Sequence, residues 1–212
     1  MRLRPHAVLL LSALIGPACA AAQHGQGSLE SVPPAGYGSL NQNDLALKVR
    51  TDELEIRLVP LDQRVTRLLA PDGYRSLQGL VESRRAAIDS IAKRSGTSRP
   101  GLALVTFFGQ QEGIRFDPQT LALIIRNRYL RPIGIVPFSP RFNSQQLNVR
   151  EQVSGIFLFE EEMPVEDSFR FNYGGIDSDD WQNKRRQLDQ ERARVAARSR
   201  TQRPDSTAGA GH

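Results

Sequence analysis

Residues 116–140 read FDPQTLALIIRNRYLRPIGIVPFSP, and this stretch decides the fold class. Leu121, Leu123 and Ile125 alternate with Ala122, Ile124 and Arg126. From Leu121 to Ile125 the run is therefore apolar on both faces, which suits a strand inside a packed sheet. Asn127 and Arg128 interrupt it with turn-tolerant chemistry, and Ile133 to Val136 resumes as a second apolar run fenced by Pro132 and Pro137. The stretch reads as two core strands with a tight connection.

Strand signals continue on both sides. Upstream, Leu45, Leu47 and Val49 and then Leu54, Ile56 and Leu58 alternate with polar partners across Thr51-Asp52-Glu53, as in a half-buried hairpin. Leu102 to Phe108 is a strand with large residues on both faces. Downstream, Leu147 and Val149 mark a short strand, Val153 to Phe159 a longer one, and Phe169, Phe171 and Tyr173 a clean alternation ended by Gly174-Gly175. Gly155 marks a place where another backbone comes close or the strand bulges. One segment carries a different period. Tyr74, Leu77, Leu80, Val81, Ile88, Ile91 and Ala92 recur at steps of three and four, predicting an amphipathic helix from about 72 to 95, with Asp72 near its start and Gly96 past its end.

Seven or eight short strands without β-α-β alternation disfavour a parallel nucleotide-binding sheet. The expected class is mainly β: an antiparallel β-sandwich with one amphipathic helix before the central strands and a basic C-terminal helix. In strand spacing, Leu102 to Tyr173 resembles the immunoglobulin-like modules of exported bacterial proteins, although the cysteine pair and strand tryptophan of true immunoglobulin domains are absent.

The two ends read differently from the middle. Residues 1–22 have the form of an export signal, with Arg2 and Arg4, an apolar run from Ala7 to Ile15, and small residues Ala18-Cys19-Ala20. That run is shorter than the roughly 20 residues a membrane span requires. Cys19 is the only cysteine, and lipidation there is the alternative to ordinary cleavage near Ala20 to Ala22. Residues 23–43, rich in Gly, Ser, Pro and Gln, read as a flexible tether, and 44–174 as the sandwich domain. The tail, 175–212, opens with Asp180 placed to cap a helix at Trp181. Trp181, Leu188 and Val195 then fall seven apart on a narrow stripe, and eight basic residues lie between Lys184 and Arg203. The stretch from Pro204 reads as disordered.

Composition narrows the chemistry. Only three of the 28 basic residues, Lys48, Lys93 and Lys184, are lysine, and the net charge of +5 includes Arg2 and Arg4 of the leader. That balance argues nothing for nucleic acid. Histidine is confined to His6, His24 and His212, none in a predicted element, so Ser-His-Asp and Cys-His catalysis and His/Cys zinc sites are disfavoured. No cofactor or metal site and no catalytic set is expected. Carboxylates remain: Glu160, Glu161, Glu162, Glu166 and Asp167 form an acidic turn, read as a solvated guard of a strand end before a calcium site or an acid/base pair.

Two basic clusters are candidates for binding. Arg126, Arg128 and Arg131 beside Tyr129 suit a phosphate, a carboxylate or an acidic glycan. In the tail, Trp181 with Lys184, Arg185, Arg186, Arg192 and Arg194 suits an anionic envelope component, or else packs onto the sandwich. The expected function is an exported, periplasmic or extracellular, non-enzymatic module that binds an envelope protein or anionic glycan. The alternatives are a carboxylate-dependent hydrolase of glycan or ester and a peripheral protein held on an anionic membrane by its tail.

Overall fold

The computed structural model describes residues 32–201. The expected leader, Cys19, the first part of the expected tether and residues 202–212 lie outside the described residues. In chain order the elements are α1 (Gln42–Leu45), β1 (Leu47–Arg50), β2 (Leu54–Pro60), α2 (Gln63–Thr66), α3 (Pro71–Ser83), α4 (Arg85–Arg94), β3 (Gly101–Gly109) and β4 (Ile114–Arg115). Then follow β5 (Leu121–Ile125), β6 (Arg128–Leu130), β7 (Gly134–Pro137), β8 (Gln146–Leu147), β9 (Gln152–Phe159), β10 (Arg170–Tyr173), β11 (Ile176–Ser178) and α5 (Trp181–Thr201).

The framework is mainly β, with antiparallel sheets and a C-terminal helix. A five-stranded sheet runs β1-β2-β3-β9-β7, a four-stranded sheet runs β11-β10-β5-β6, and β4 pairs with β8. Every ladder between named strands is antiparallel. The sheets share one apolar core. Ile56, Leu58, Val105, Phe107 and Phe157 come from the larger sheet, and Leu121, Leu123, Phe171 and Tyr173 from the smaller. Beyond the larger sheet lies a second, smaller cluster, where Ile88 of α4 meets Val136, Ile156 and Leu158. Strand β9 thus serves a core on each side, with Val153, Phe157 and Phe159 in the larger and Ile156 and Leu158 in the smaller.

The opening stretch resolves differently from its expectation. Leu121–Ile125 and the run after Pro132 are not paired with each other. β5 turns through Arg126-Asn127 onto the short strand β6, while β7 crosses to the edge of the other sheet and pairs with β9. Pro137 lacks an N–H to donate, and the edge is where a sheet tolerates that. Similarly, the single helix expected over 72–95 is two. Arg84 leaves helical geometry at φ −114°, ψ 6°, and its N–H bonds Val81 O at 3.1 Å, three residues back. Ser83 Oγ donates to Leu80 O at 2.8 Å in the same turn. α3 starts at Pro71, with Asp72 in its first turn rather than at the cap. α4 ends as expected at a left-handed Gly96, with Thr97 N–H on Ala92 O and Gly96 N–H on Lys93 O. At the short strand expected around Leu147 and Val149, β8 ends at Leu147 and Val149 is exposed.

Residues 32–43, read as the end of a tether, are packed. Leu40 is buried and bridges to Leu69, and a Cβ on Gly38 would stand 2.2 Å from the backbone carbonyl of Leu68. Only a glycine allows that approach. The C-terminal helix covers this strap. Trp181, Leu188 and Val195 are buried in the main core, as the seven-residue stripe requires. Between them Glu191 has no exposed surface. It accepts from Ser39 N–H at 3.0 Å, Ser39 Oγ at 2.8 Å and Arg198 Nη1 at 2.9 Å. Arg198 also donates to Tyr37 O, and Lys184 donates to Asn43 O and Asp44 O.

Burial works to raise the Glu191 carboxyl, but Ser39 and Arg198 outweigh it and hold the group below the usual glutamate range. Such a group stabilises the fold above its unfolded pKa and loses that contribution as pH falls through its folded value. Glu191→Gln should therefore cost about 1–3 kcal/mol at neutral pH, read from denaturant midpoints. The gap from the unaltered protein should begin to narrow as the pH falls below about 4.3, the unfolded value, and close only once the pH has passed the lower folded value. Trp181→Ala should cost about 3–5 kcal/mol by the same measurement.

Candidate functional site

The β5–β6 hairpin carries the first candidate cluster. Because Ile125 pairs with Arg128, the loop is only Arg126-Asn127, and both residues have positive φ, 48° and 65°. This is the type I′ arrangement, which normally calls on Asn or Gly. An arginine held there costs about 1–2 kcal/mol. Arg126 Nη2 lies 3.3 Å from Asp167 Oδ2, and Arg128 Nη2 lies 2.5 Å from Glu161 Oε1. Tyr129 shares a sheet face with Ile124 and, beyond it, Arg170. It is 64% exposed, more than any other large apolar or aromatic side chain described. Arg131 is exposed and makes no ion pair among the described residues.

The acidic turn is the partner of this hairpin rather than a free solvated loop. Its residues divide by face: Met163 and Val165 are buried in the core, while Glu160, Glu161, Glu162, Glu166 and Asp167 point outward. Trp181 Nε1 donates to Val165 O at 3.3 Å, and a Cβ on Gly101 would stand 2.3 Å from Glu161 O, so the loop backbone sits directly on β3. Arg64 of α2 joins the network. It donates to Asp62 and to Met163 O and lies 3.9 Å from Glu162. Asp62 raises the Arg64 guanidinium further above its ordinary value, as Glu161 does for Arg128. Nothing in the sequence pattern marked Arg64 as part of this cluster.

Two hollows flank the hairpin. One, about 390 Å³, lies between Arg64, Arg128, Glu161 and Asp167 over Met163. The other, about 320 Å³, lies between Arg126, Asn127, Arg170, Asp179 and Gln182. Their cations face carboxylates of the same chain. The tail candidates are spent in a similar way. Trp181 is core, Lys184 holds the backbone of α1, Arg192 pairs with Asp189 at 2.6 Å, and Arg194 lies 3.6 Å from Glu191. Arg186 donates to Asn183 Oδ1, and Arg185 is half-buried. The start of α5 adjoins the hairpin through Gln182, and no tail arginine lines the hollow they share.

A third hollow, about 560 Å³, lies at the other end of the β5–β10 ladder, between Arg115, Asp117, Thr120 and Gln145 over Phe116 and Tyr173. Asp117 N–H donates to Tyr173 Oη at 3.0 Å, and burial pushes the phenol above its ordinary range. The two carboxylates buried among the described residues, Glu55 and Glu191, lie elsewhere. Glu55, hydrogen-bonded by Arg50 and Arg57, is held below the ordinary glutamate range like Glu191. Among the described residues no three His, Cys, Asp or Glu side chains group as metal ligands, and no helix is long and apolar enough to cross a membrane.

Compared with known proteins, the chain matches no family model, no curated protein and no solved structure.

The hairpin turn gives a direct test of its own strain. Exposed ion pairs such as Arg126–Asp167 contribute little, about 0–1 kcal/mol. The double variant Arg126→Asn, Asn127→Gly should therefore be more stable than the unaltered protein by up to about 1 kcal/mol in urea unfolding.

Proposed function

We propose that the chain is an exported, non-enzymatic binding module that engages an envelope protein or an anionic glycan through the β5–β6 hairpin. Tyr129 carries this reading: a tyrosine 64% exposed on a three-residue edge strand, with Arg128 before it and Arg131 shortly after. Tyrosine and arginine are the residue types that dominate binding hot spots. The two-residue turn and the register with β5 hold the backbone of the tip, so less ordering is left for a partner to impose. Arg131 supplies the uncommitted charge.

The hydrolase alternative needs a carboxyl kept protonated near neutrality by an apolar site. The buried candidates, Glu55 and Glu191, are pulled the other way by arginine. Glu161, Glu162 and Asp167 are about half exposed and face guanidinium groups. The membrane alternative needs a free basic helix face, whereas Trp181, Lys184, Arg192 and Arg194 make contacts within the chain.

The same proposal takes the framework as a β-sandwich of the immunoglobulin-like kind. The shared core between two antiparallel sheets supports this, as does the direct passage from β6 at one sheet edge to β7 at the edge of the other. So does the nearness of β1 to β10 and β11 at the opposite side. The buried tryptophan belongs to a helix, which sets this chain apart from true immunoglobulin domains.

The test is a pull-down from native envelope with the unaltered protein, the Arg126→Ala, Arg128→Ala, Arg131→Ala variant and Tyr129→Ala. A partner held by the unaltered protein should be lost from the triple variant and weakened about tenfold or more by Tyr129→Ala, a hot-spot loss of about 1.4 kcal/mol or more. Retention of every partner by the triple variant would remove the hairpin from consideration.

A further inference from the structure

We propose a second ligand site, in the hollow between Arg115, Asp117, Thr120 and Gln145, that takes a sugar unit carrying one carboxylate. This deepens the binding-module reading but uses none of the hairpin residues.

Construction is the first argument. The floor is rigid: Phe116 stacks on Phe107 with centroids 4.6 Å apart, Phe142 meets Phe116 edge-on at 5.5 Å, and Tyr173 meets Phe107 edge-on at 5.7 Å. Above this aromatic block the walls are loops and two-residue strands, the arrangement in which binding groups sit on a fixed scaffold. The volume, about 560 Å³, falls in the ordinary range for small-molecule sites.

Availability is the second argument. Around the hairpin the guanidinium groups of Arg126 and Arg128 face carboxylates of the chain itself. At this end the side chains of Arg115 and Gln145 are exposed and have no hydrogen-bond or ion-pair partner among the described residues. Asp117 spends Oδ1 on Gln119 N–H at 2.9 Å and keeps Oδ2. Gln145 also stands in the left-handed region, φ 51°, ψ 30°, where a glycine or asparagine is the easier choice.

The mix of groups selects the ligand. One guanidinium suits one carboxylate, in two parallel hydrogen bonds. Asp117 opposes a dianion such as phosphate but accepts hydroxyls. The Gln145 amide both donates and accepts, which also suits hydroxyls.

Two chemistries supply such a unit: a uronate within a polysaccharide, or a sugar bearing a carboxylate on an ether side chain. The experiment titrates the full chain at low ionic strength with tetragalacturonate and, separately, with N-acetylmuramic acid, using calorimetry and amide chemical shifts. Neutral galacto-tetraose and inorganic phosphate are the controls. Saturable binding of either acid is expected, with shifts at residues 113–120, 145 and 174, and the acid that binds identifies the source. Arg115→Gln should weaken binding tenfold or more with an unchanged melting temperature. Gln145→Gly should weaken it while melting no lower than the unaltered protein, which a purely structural role would not produce. The Arg126→Ala, Arg128→Ala, Arg131→Ala variant should bind as before. Binding of neither acid, equal binding of phosphate, or insensitivity to Arg115→Gln would overturn the site and leave the hairpin proposal standing.

Discussion

A carboxylate without exposed surface must be met by donors, and in this chain that requirement joins the two ends of the folded part. Glu191 lies on the same stripe of α5 as Trp181, Leu188 and Val195, so seating the apolar residues carries the charge inward with them. Its donors come from Ser39 and Arg198, and Arg198 reaches on to Tyr37 O. An uncompensated charge in that place would cost several kcal/mol. The strap at residues 37–44 therefore cannot leave without exposing the interior and stranding an ion. The bare backbone of Gly38 against Leu68 completes the fit from the other side. Once the strap and α5 are fixed, Trp181 reaches Val165 O, and the acidic loop is pinned over the end of β3. The placement of the hairpin arginines follows from that loop.

Local periodicity made most of the framework legible. Strands β1 and β3 and the stripe of α5 have burial patterns that their sequences state directly, whereas Glu55 of β2 and Asn172 of β10 are buried at positions that alternate as polar. Pairing was harder to read. β5 and β7 look alike as apolar runs, yet they belong to different sheets, because partner choice depends on residues far away in the chain. β6 escaped notice since Arg128, Tyr129 and Leu130 carry no buried apolar residue. The break at Arg84 is equally silent. The apolar residues on either side keep step through it, and the departure rests on one hydroxyl and one shifted backbone bond. Residues 32–43 have the composition of a linker but pack through Pro33, Tyr37, Gly38 and Leu40, which composition averages away.

The same limit applies to the functional surfaces. Arg126, Arg128 and the acidic turn each stand out as charge clusters. Their mutual neutralisation does not, because Arg126 and Asp167 are 41 residues apart and Arg128 and Glu161 are 33 apart. A charge cluster in a sequence is thus a statement about supply, and availability depends on which opposite charges the topology delivers to it. The reverse case is the hollow over Tyr173. Its walls come from separate short segments, none conspicuous alone, and its one cation is left without a partner among the described residues.

The register of one ladder separates these two outcomes in space. Tyr173 pairs with Leu121 at one end of β5, and Arg170 pairs with Ile124 near the other, next to the Arg126-Asn127 turn. A five-residue antiparallel strand spans about 17 Å. Screening in physiological salt acts over about 8 Å, so the ion-paired end barely influences the field at Arg115. The acidic loop that quiets the hairpin arginines is therefore no competitor for a carboxylate arriving at the far end. In the same way, an anion held there would not disturb the Arg126–Asp167 and Arg128–Glu161 pairs. A β framework of this length can keep an ion-paired hairpin tip and an open polar hollow as separate chemical environments, joined by the β5–β10 ladder and the core beneath it.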